Sequence, residues 1–277
     1  MRVHHLNCGT MRPPGGRLMD GTGGFLHRGE MICHCLLIEL DSGLVLVETG
    51  VGEQAVRRPV EWLGRRFIRL TSPVLDLAQT AAHQVEALGY RREDVRDILL
   101  THLDLDHAGG LADFPHARVH VYAEELRALE GAHSAEERLR YKEPQFRHGP
   151  RWESYADTGE SWFGFDAVRE LSGLPPTILL IPLAGHTRGH AGIAVDTGNG
   201  WLLSAGDAYF HPGVLDPVRP HQPLGLSLFE KSVQTLRGPR LDNQQRLREL
   251  IRDHGDEVTV FSAHNAAELR ALQRVAA

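Results

Sequence analysis

"DILLTHLDLDHAGGLADF", Asp97 to Phe114, decides how this chain is read. A strand-like apolar run, "DILLT", is followed within six positions by His102, Asp104, Asp106 and His107. Burying that many ionisable groups without partners costs roughly several kcal/mol for each. The pattern makes physical sense when the groups share a ligand. Imidazole and carboxylate are the donors that suit a divalent zinc, manganese or iron ion.

Working outward, three later segments repeat the same grammar, an apolar strand that ends directly in His or Asp. They are "IPLAGHTRGH", "LLSAGDAYF" and "VFSAHN", and they add His186, Asp207 and His264. Side chains at strand ends can converge on one rim of a sheet. His102, Asp104, Asp106, His107, His186, Asp207 and His264 are together more than one ion with an open position needs. They fit two ions that share a bridging carboxylate, with a water acidified to act as nucleophile. The histidines that stand alone elsewhere read as structural or solvated.

Composition narrows the partners. The chain has 277 residues and a net charge of −6 without a long Lys/Arg cluster. That argues against a nucleic-acid partner, which usually leaves a basic stripe. No apolar run has membrane-spanning length and "MRVHHLNCGT" has no signal-like apolar core, so the expected location is the cytoplasm, away from membranes. Cys8, Cys33 and Cys35 are too few for a disulfide framework and read as reduced core residues. Cys33 and Cys35 alternate along "MICHCLLIEL" and should share one strand face.

Apolar, β-branched runs give the organisation. "MICHCLLIEL" and "LVLVETG", joined by "DSG", read as a hairpin. A helix is expected from Asp76 to Leu88, stopped by Gly89, then strands at "VRDILLTH" and "ARVHVYA" and a helix from Glu124 to Gly131. Strands return at "TILLIPLAG", "AGIAVDTG" and "GWLLSAGD". A helix at Asn243–His254, a strand "EVTVFSAH" and a helix from Ala266 close the chain. Two strand groups with helices beside them predict an α/β or α+β fold of packed sheets in a single domain, residues 1–277. Residues 132–176 have weak periodicity, and Tyr141 to Phe165 hold seven of the chain's 18 aromatics. This insertion is expected either as a lid forming an apolar pocket or as a homodimer contact.

Taken together, "THLDLDHAGG", "GHTRGH", Gly206–Asp207 and the late "SAH" resemble, in order, the H-x-H-x-D-H and later ligand motifs of the metallo-β-lactamase fold hydrolases. "LVLVETG" resembles that family's strand-and-turn ending in Asp-Thr-Gly. The resemblance runs from about Ile32 to His264. It implies a four-layer αββα sandwich with two divalent ions, zinc first among them and manganese or iron as alternatives. One ion would be held by His102, Asp104 and His186, the other by Asp106, His107 and His264, with Asp207 bridging. His190 would pack or hydrogen-bond nearby.

Two residues depart from the family pattern. Asp104 stands where the family usually has His, which would make the first site more oxygen-rich, and a carboxylate here also resembles the diiron branch of the fold. Glu48 stands where Asp is usual, either orienting a ligating His or bonding within its turn. Among single-chain members with "GHTxGH", the N-acyl-homoserine lactonases and glyoxalase II thioesterases are the models. The first expectation is therefore a metal-bound hydroxide that opens a small ester-like substrate, a lactone, with Asp106 or Asp207 moving the proton and Tyr209 holding the carbonyl. The alternative is a thioesterase whose acidic substrate is gripped by Arg138, Arg140, Lys142, Arg147 and Arg151. Diiron redox chemistry and a non-catalytic metal-binding role rank below these.

Overall fold

The computed structural model describes residues 1–131, 134, 137, 140–156, 159–167 and 171–276, so Arg138 lies outside the described residues. The strands are β1 (Arg2–Met11), β2 (Met31–Leu40), β3 (Gly43–Val47), β4 (Pro73–Val74), β5 (Val95–Leu99), β6 (Arg118–Tyr122), β7 (Arg151–Tyr155), β8 (Glu160–Trp162), β9 (Phe165–Ala167), β10 (Ile178–Pro182), β11 (Ala191–Asp196), β12 (Trp201–Ser204) and β13 (Val258–Phe261). They form a seven-stranded sheet ordered β4-β1-β2-β3-β5-β6-β7, a four-stranded sheet ordered β10-β11-β12-β13, and the small pair β8-β9.

Period-two alternation explains how the two large sheets pack. On β2, Leu36 and Ile38 face inward and meet Ile178, Leu180, Ile193 and Phe261 of the second sheet. Cys35 and Leu37, one residue out of phase, face the other way and pack with Ala81, Ala82 and Val85 of the helix Ala81–Ala87. The second sheet's outer face packs likewise against Leu247 and Leu250 of the helix Arg237–His254. Helix, sheet, sheet, helix is the four-layer αββα order.

The hairpin is as expected, with β2 and β3 antiparallel from Leu36↔Val47 to Leu40↔Gly43. All three cysteines are buried and free. The helix expected over Asp76–Leu88 is interrupted. Asp76 caps a single 3₁₀ turn, Leu77–Gln79, and Thr80 then accepts from the His83 amide and starts a new helix. Capping residues placed this close reset the backbone rather than let one helix run through. Strand β1 is not marked by the sequence, because "RVHHLNCGTM" mixes polar and apolar residues. It is held by pairing with β2 from Arg2↔Glu39 to Met11↔Met31.

Among the described residues no aromatic of this segment lines the cavity at the strand ends, although Lys142 beside Tyr141 does. Tyr141, Phe146 and Trp152 pack on the first helix–sheet core. Trp162, Phe163 and Phe165 pack on the second, where Trp162 meets Trp201 edge-on. These rings serve as core because β7 to β9 cap the outer ends of the sheets.

Candidate metal centre

The cluster is built where strand ends converge. His102 follows β5, His186 lies in the connection from β10 to β11, Asp207 follows β12 and His264 follows β13. Strands β3, β5 and β6 are parallel, as are β12 and β13, so their carboxyl ends face one edge. Backbone bonds stitch the sheets together there: the His34 amide donates to Ala263 O at 2.8 Å and the Ala191 amide to Thr101 O at 2.8 Å.

Donor atoms gather in two overlapping groups within 4.8 Å: His102, His186 and Asp207 in one, and His107, Asp207 and His264 in the other. Asp207 belongs to both through different oxygens. Its Oδ2 lies 3.9 Å from His102 Nε2 and 3.3 Å from His186 Nε2. Its Oδ1 lies 3.3 Å from His107 Nε2 and 3.1 Å from His264 Nε2. That is the disposition of a bridging carboxylate. Asp106 stands beside the second group, with Oδ2 3.7 Å from His264 Nε2. The Cys33 thiol also converges on Asp106 and His264. It reads as core in the sequence and is indeed buried, but one face of it borders this centre.

A metal fits these residues. His102 Nε2, Asp104 Oδ1 and Asp207 Oδ1 are buried without hydrogen-bond partners, although polar neighbours lie close to them. Buried polar atoms normally find partners. Donors that converge within 3–4 Å while some of their buried atoms are left without a partner are placed as the ligands of a common ion would be.

The other ring nitrogens of His107 and His264 are committed. His264 Nδ1 donates to Ile32 O at 2.7 Å. His107 Nδ1 bonds Glu48 Oε2 at 2.9 Å, and the Glu48 Oε1 accepts from the Thr101 amide at 2.7 Å. Glu48 thus does both things open to it, orienting His107 and bracing the turn that leads into His102. It does so from a left-handed backbone, φ 64°, which costs a non-glycine residue about 1–3 kcal/mol. Burial opposes charge on His107, but Asp207 and Glu48 beside it push its pKa well above the ordinary value. Asp207 is likewise held well below the carboxylate range against its burial by His264, His107 and His186. Glu48→Gln is expected to lower metal affinity about 10–100-fold, read by competition with a chromophoric chelator. Unchanged affinity would show that His107 needs no orienting carboxylate.

His190 stays outside the donor groups. Its Nδ1 donates to Leu183 O at 3.0 Å and its Nε2 accepts from the Asp207 amide at 3.0 Å, so it holds the bridging residue from behind. Burial and then His186 lower its pKa to about 3, which keeps it neutral. Gly206 makes this approach feasible: it has φ 53°, and a β-carbon there would stand 2.6 Å from His190 Nε2.

Tyr209 is a correction. Its side chain is fully buried in the second core and its hydroxyl donates to Glu268 Oε1 at 2.9 Å. It points to the helix Ala266–Ala276, away from the donor atoms, because the chain turns inward after Asp207. Tyr209→Phe is therefore expected to cost about 1 kcal/mol of stability in urea unfolding while turnover changes less than about twofold. A tenfold loss of rate with normal stability would restore a role in the site.

Asp104 is drawn in two directions. Its Oδ2 lies 3.4 Å from His102 Nε2 and 3.0 Å from His186 Nε2. The same oxygen is 2.5 Å from Arg140 Nη1. Burial opposes its ionisation, yet Arg140 and then His102 hold the carboxyl well below its ordinary range. Arg140 has no signature in the sequence near the motif that it joins. Glu125 is a second hidden partner. It is buried, and accepts from the Leu103 amide at 3.0 Å and the Gly189 amide at 3.2 Å, tying the first ligand loop to the second.

A cavity of about 750 Å³ opens onto Asp104, Asp106, His186, Asp207 and His264. Its walls are mainly apolar: Met11, Met19, Met31, Leu63, Phe67, Leu70, Phe210, Phe229 and Val233. Arg65, Arg66, Arg140 and Lys142 add positive charge.

Residues 28–264 match the model of the metallo-beta-lactamase superfamily. The chain belongs to that superfamily. A probable metallo-hydrolase of Mycobacterium tuberculosis is 44% identical over 267 residues, covering 96% of this chain and 80% of the relative. An N-acyl homoserine lactonase of a Bacillus species is 26% identical over 190 residues, covering 66% of this chain and 68% of the relative. Among solved structures, an N-acyl homoserine lactone hydrolase with N-hexanoyl-L-homoserine at its catalytic metal centre superposes with a TM-score of 0.66. It is 20% identical and covers 98% of this chain and 95% of its own. The dizinc quorum-quenching lactonase AidC superposes with a TM-score of 0.60 at 17% identity, covering 95% of this chain and 86% of its own. This metallo-β-lactamase superfamily member is a metal-dependent hydrolase, and its His/Asp clusters fit the metal site of that family. Among the described residues, no helix is long and apolar enough to cross a membrane.

Proposed function

We propose that the protein hydrolyses a small lactone that carries an apolar acyl chain, using two divalent ions, zinc first among them. The observation that carries this reading is the apolar cavity opening directly onto the donor cluster. The lactone-hydrolysing neighbours support the fold on which such a site is built.

In this reading His102, Asp104 and His186 would hold one ion and His107, His264 and Asp106 the other, with Asp207 common to both groups. When bound, the ions supply Lewis acidity and lower the pKa of water to near neutrality. The chain's own residues do the rest. Glu48 and the Ile32 carbonyl fix the rings of His107 and His264, so that each presents Nε2. The apolar walls exclude water and place the acyl chain so that the ester carbonyl lies over the cluster. Asp106 borders the cavity and is the carboxylate placed to carry a proton to the leaving oxygen.

The test is ring opening of a lactone panel, followed by proton release, with and without chelator and with thioesters alongside. Turnover that depends on metal and on acyl length supports the reading. Phe229→Ala is expected to raise KM for a long-chain lactone about tenfold and leave kcat nearly unchanged, since burying one such ring is worth roughly 1.5–3 kcal/mol. An unchanged KM would remove the acyl chain from this cavity.

A thioester of an acidic acyl carrier is the second reading, favoured by the cationic side chains Arg65, Arg66, Arg140 and Lys142 along the cavity. Arg147 and Arg151 do not contribute: Arg147 pairs with Glu143 at 2.7 Å and Arg151 donates to His116 O at 2.9 Å, both on the exposed surface. Thioester cleavage without lactone turnover would move the protein to this class.

A further inference from the structure

The two ion positions are not equivalent. Around the second group, among the described residues, no cationic Arg or Lys approaches within ion-pair distance of Asp207 or Asp106. Around the first group one does. Arg140 Nη1 stands 2.5 Å from Asp104 Oδ2 and 2.9 Å from His186 Nε2. Ligand atoms sit about 2.0–2.2 Å from a zinc ion. The guanidinium nitrogen thus already contacts two of the atoms that would hold the first ion, at distances longer than those of a ligand to zinc.

Arg140 is not a chance visitor. Its side chain is only 11% exposed. Its other terminal nitrogen donates to the carbonyl of Val233, the last residue of the helix Leu224–Val233. A helix C-terminus favours a cation. Beyond Arg140 lies a second cavity of about 310 Å³, lined by Ser134, Glu137, Arg188, Gln234 and Thr235, with Arg188 paired to Glu137 at 2.7 Å, and it gives the side chain space on the side away from the cluster.

We propose that Asp104 is the counter-ion of Arg140, and that Arg140 is a resident cation competing with the ion at His102 and His186. The centre then fills in order. The ion at His107, Asp207 and His264 binds first and tightly. The ion at His102 and His186 binds second and exchanges readily, because its entry requires the guanidinium to move off Asp104. This inference rests on the metal-centre reading above. It also explains the acidic residue at position 104: a neutral His there would leave Arg140 buried without a counter-charge, at a cost of several kcal/mol.

The test counts ions rather than turnover. Metal-free protein is titrated with Zn²⁺, native mass spectrometry reads ions per chain, and competition with a chromophoric chelator gives each affinity. The wild type is expected to bind two equivalents whose affinities differ at least 100-fold. Arg140→Gln is expected to tighten the weaker equivalent at least tenfold and leave the tighter one unchanged, whereas Arg140→Lys preserves the gap. If Arg140→Gln does not fold, the ligand variants decide: His186→Ala should keep one tight equivalent and His264→Ala should lose it. Two equivalents of equal affinity in the wild type, or a weaker second equivalent in Arg140→Gln, would overturn the proposal while leaving the metal centre in place. Failure of the wild type to bind any Zn²⁺ would instead remove the metal-centre reading itself.

Discussion

If the protein is the two-ion lactonase proposed above, Asp207→Ala is expected to strip both ions from it and to lower kcat/KM for the best lactone by roughly a thousandfold. The argument is geometric. One carboxylate oxygen faces His102 and His186 and the other faces His107 and His264. Deleting it removes an anionic donor from both positions at once and leaves two positive ions close together with no shared negative charge between them. Lewis-acid stabilisation is worth several kcal/mol, and losing about 4 kcal/mol corresponds to roughly a thousandfold in rate. The measurements are elemental metal content after gel filtration and initial rates at saturating metal. A variant that keeps two ions per chain would show that Asp207 does not bridge.

The second large effect is on the fold. Gly109→Val is expected to cost about 3 kcal/mol or more of stability, read as a lower urea midpoint, and to weaken metal binding with it. Gly109 follows the ligand run in "DHAGG". A β-carbon there would stand 2.6 Å from Leu105 O and 2.7 Å from Gly50 O, both backbone atoms that no rotamer change can move. The loop carrying Asp106 and His107 is pressed against the turn after β3, where the Thr49 amide donates to His107 O at 2.9 Å. Forcing the loop outward would displace His107 from Glu48. A Gly109→Val protein with wild-type midpoint and metal content would mean that the turn yields at no cost.

Much of the centre was legible because its code is local. A strand that ends directly in His or Asp places that side chain at a sheet rim, and four such strands in a chain of this length have few ways to avoid a common edge. His102, Asp106, His107, His186, Asp207 and His264 are gathered there as the motif grammar anticipates. The partners that hold them were less legible. Glu48 could be suspected from its place in "VETG", but Glu125 and Arg140 reach the loops from distant parts of the chain, through contacts that leave no spacing in the sequence. Tyr209 misled because a position two residues from a ligand need not share its direction once the strand has ended. For the aromatics between Tyr141 and Phe165, composition reports apolar area and not which surface receives it.

The residues by themselves therefore determined the strand alternation and the placing of ligand-type side chains at strand ends, since period-two burial and ligand chemistry act over a few residues; the four-layer order came from the family resemblance. Only the tertiary structure decided which residues wall the cavity and where the charge of Asp104 is spent. Those outcomes depend on distances between segments far apart in the chain, such as the 2.5 Å between Asp104 and Arg140, and packing sets these distances with no local rule to announce them.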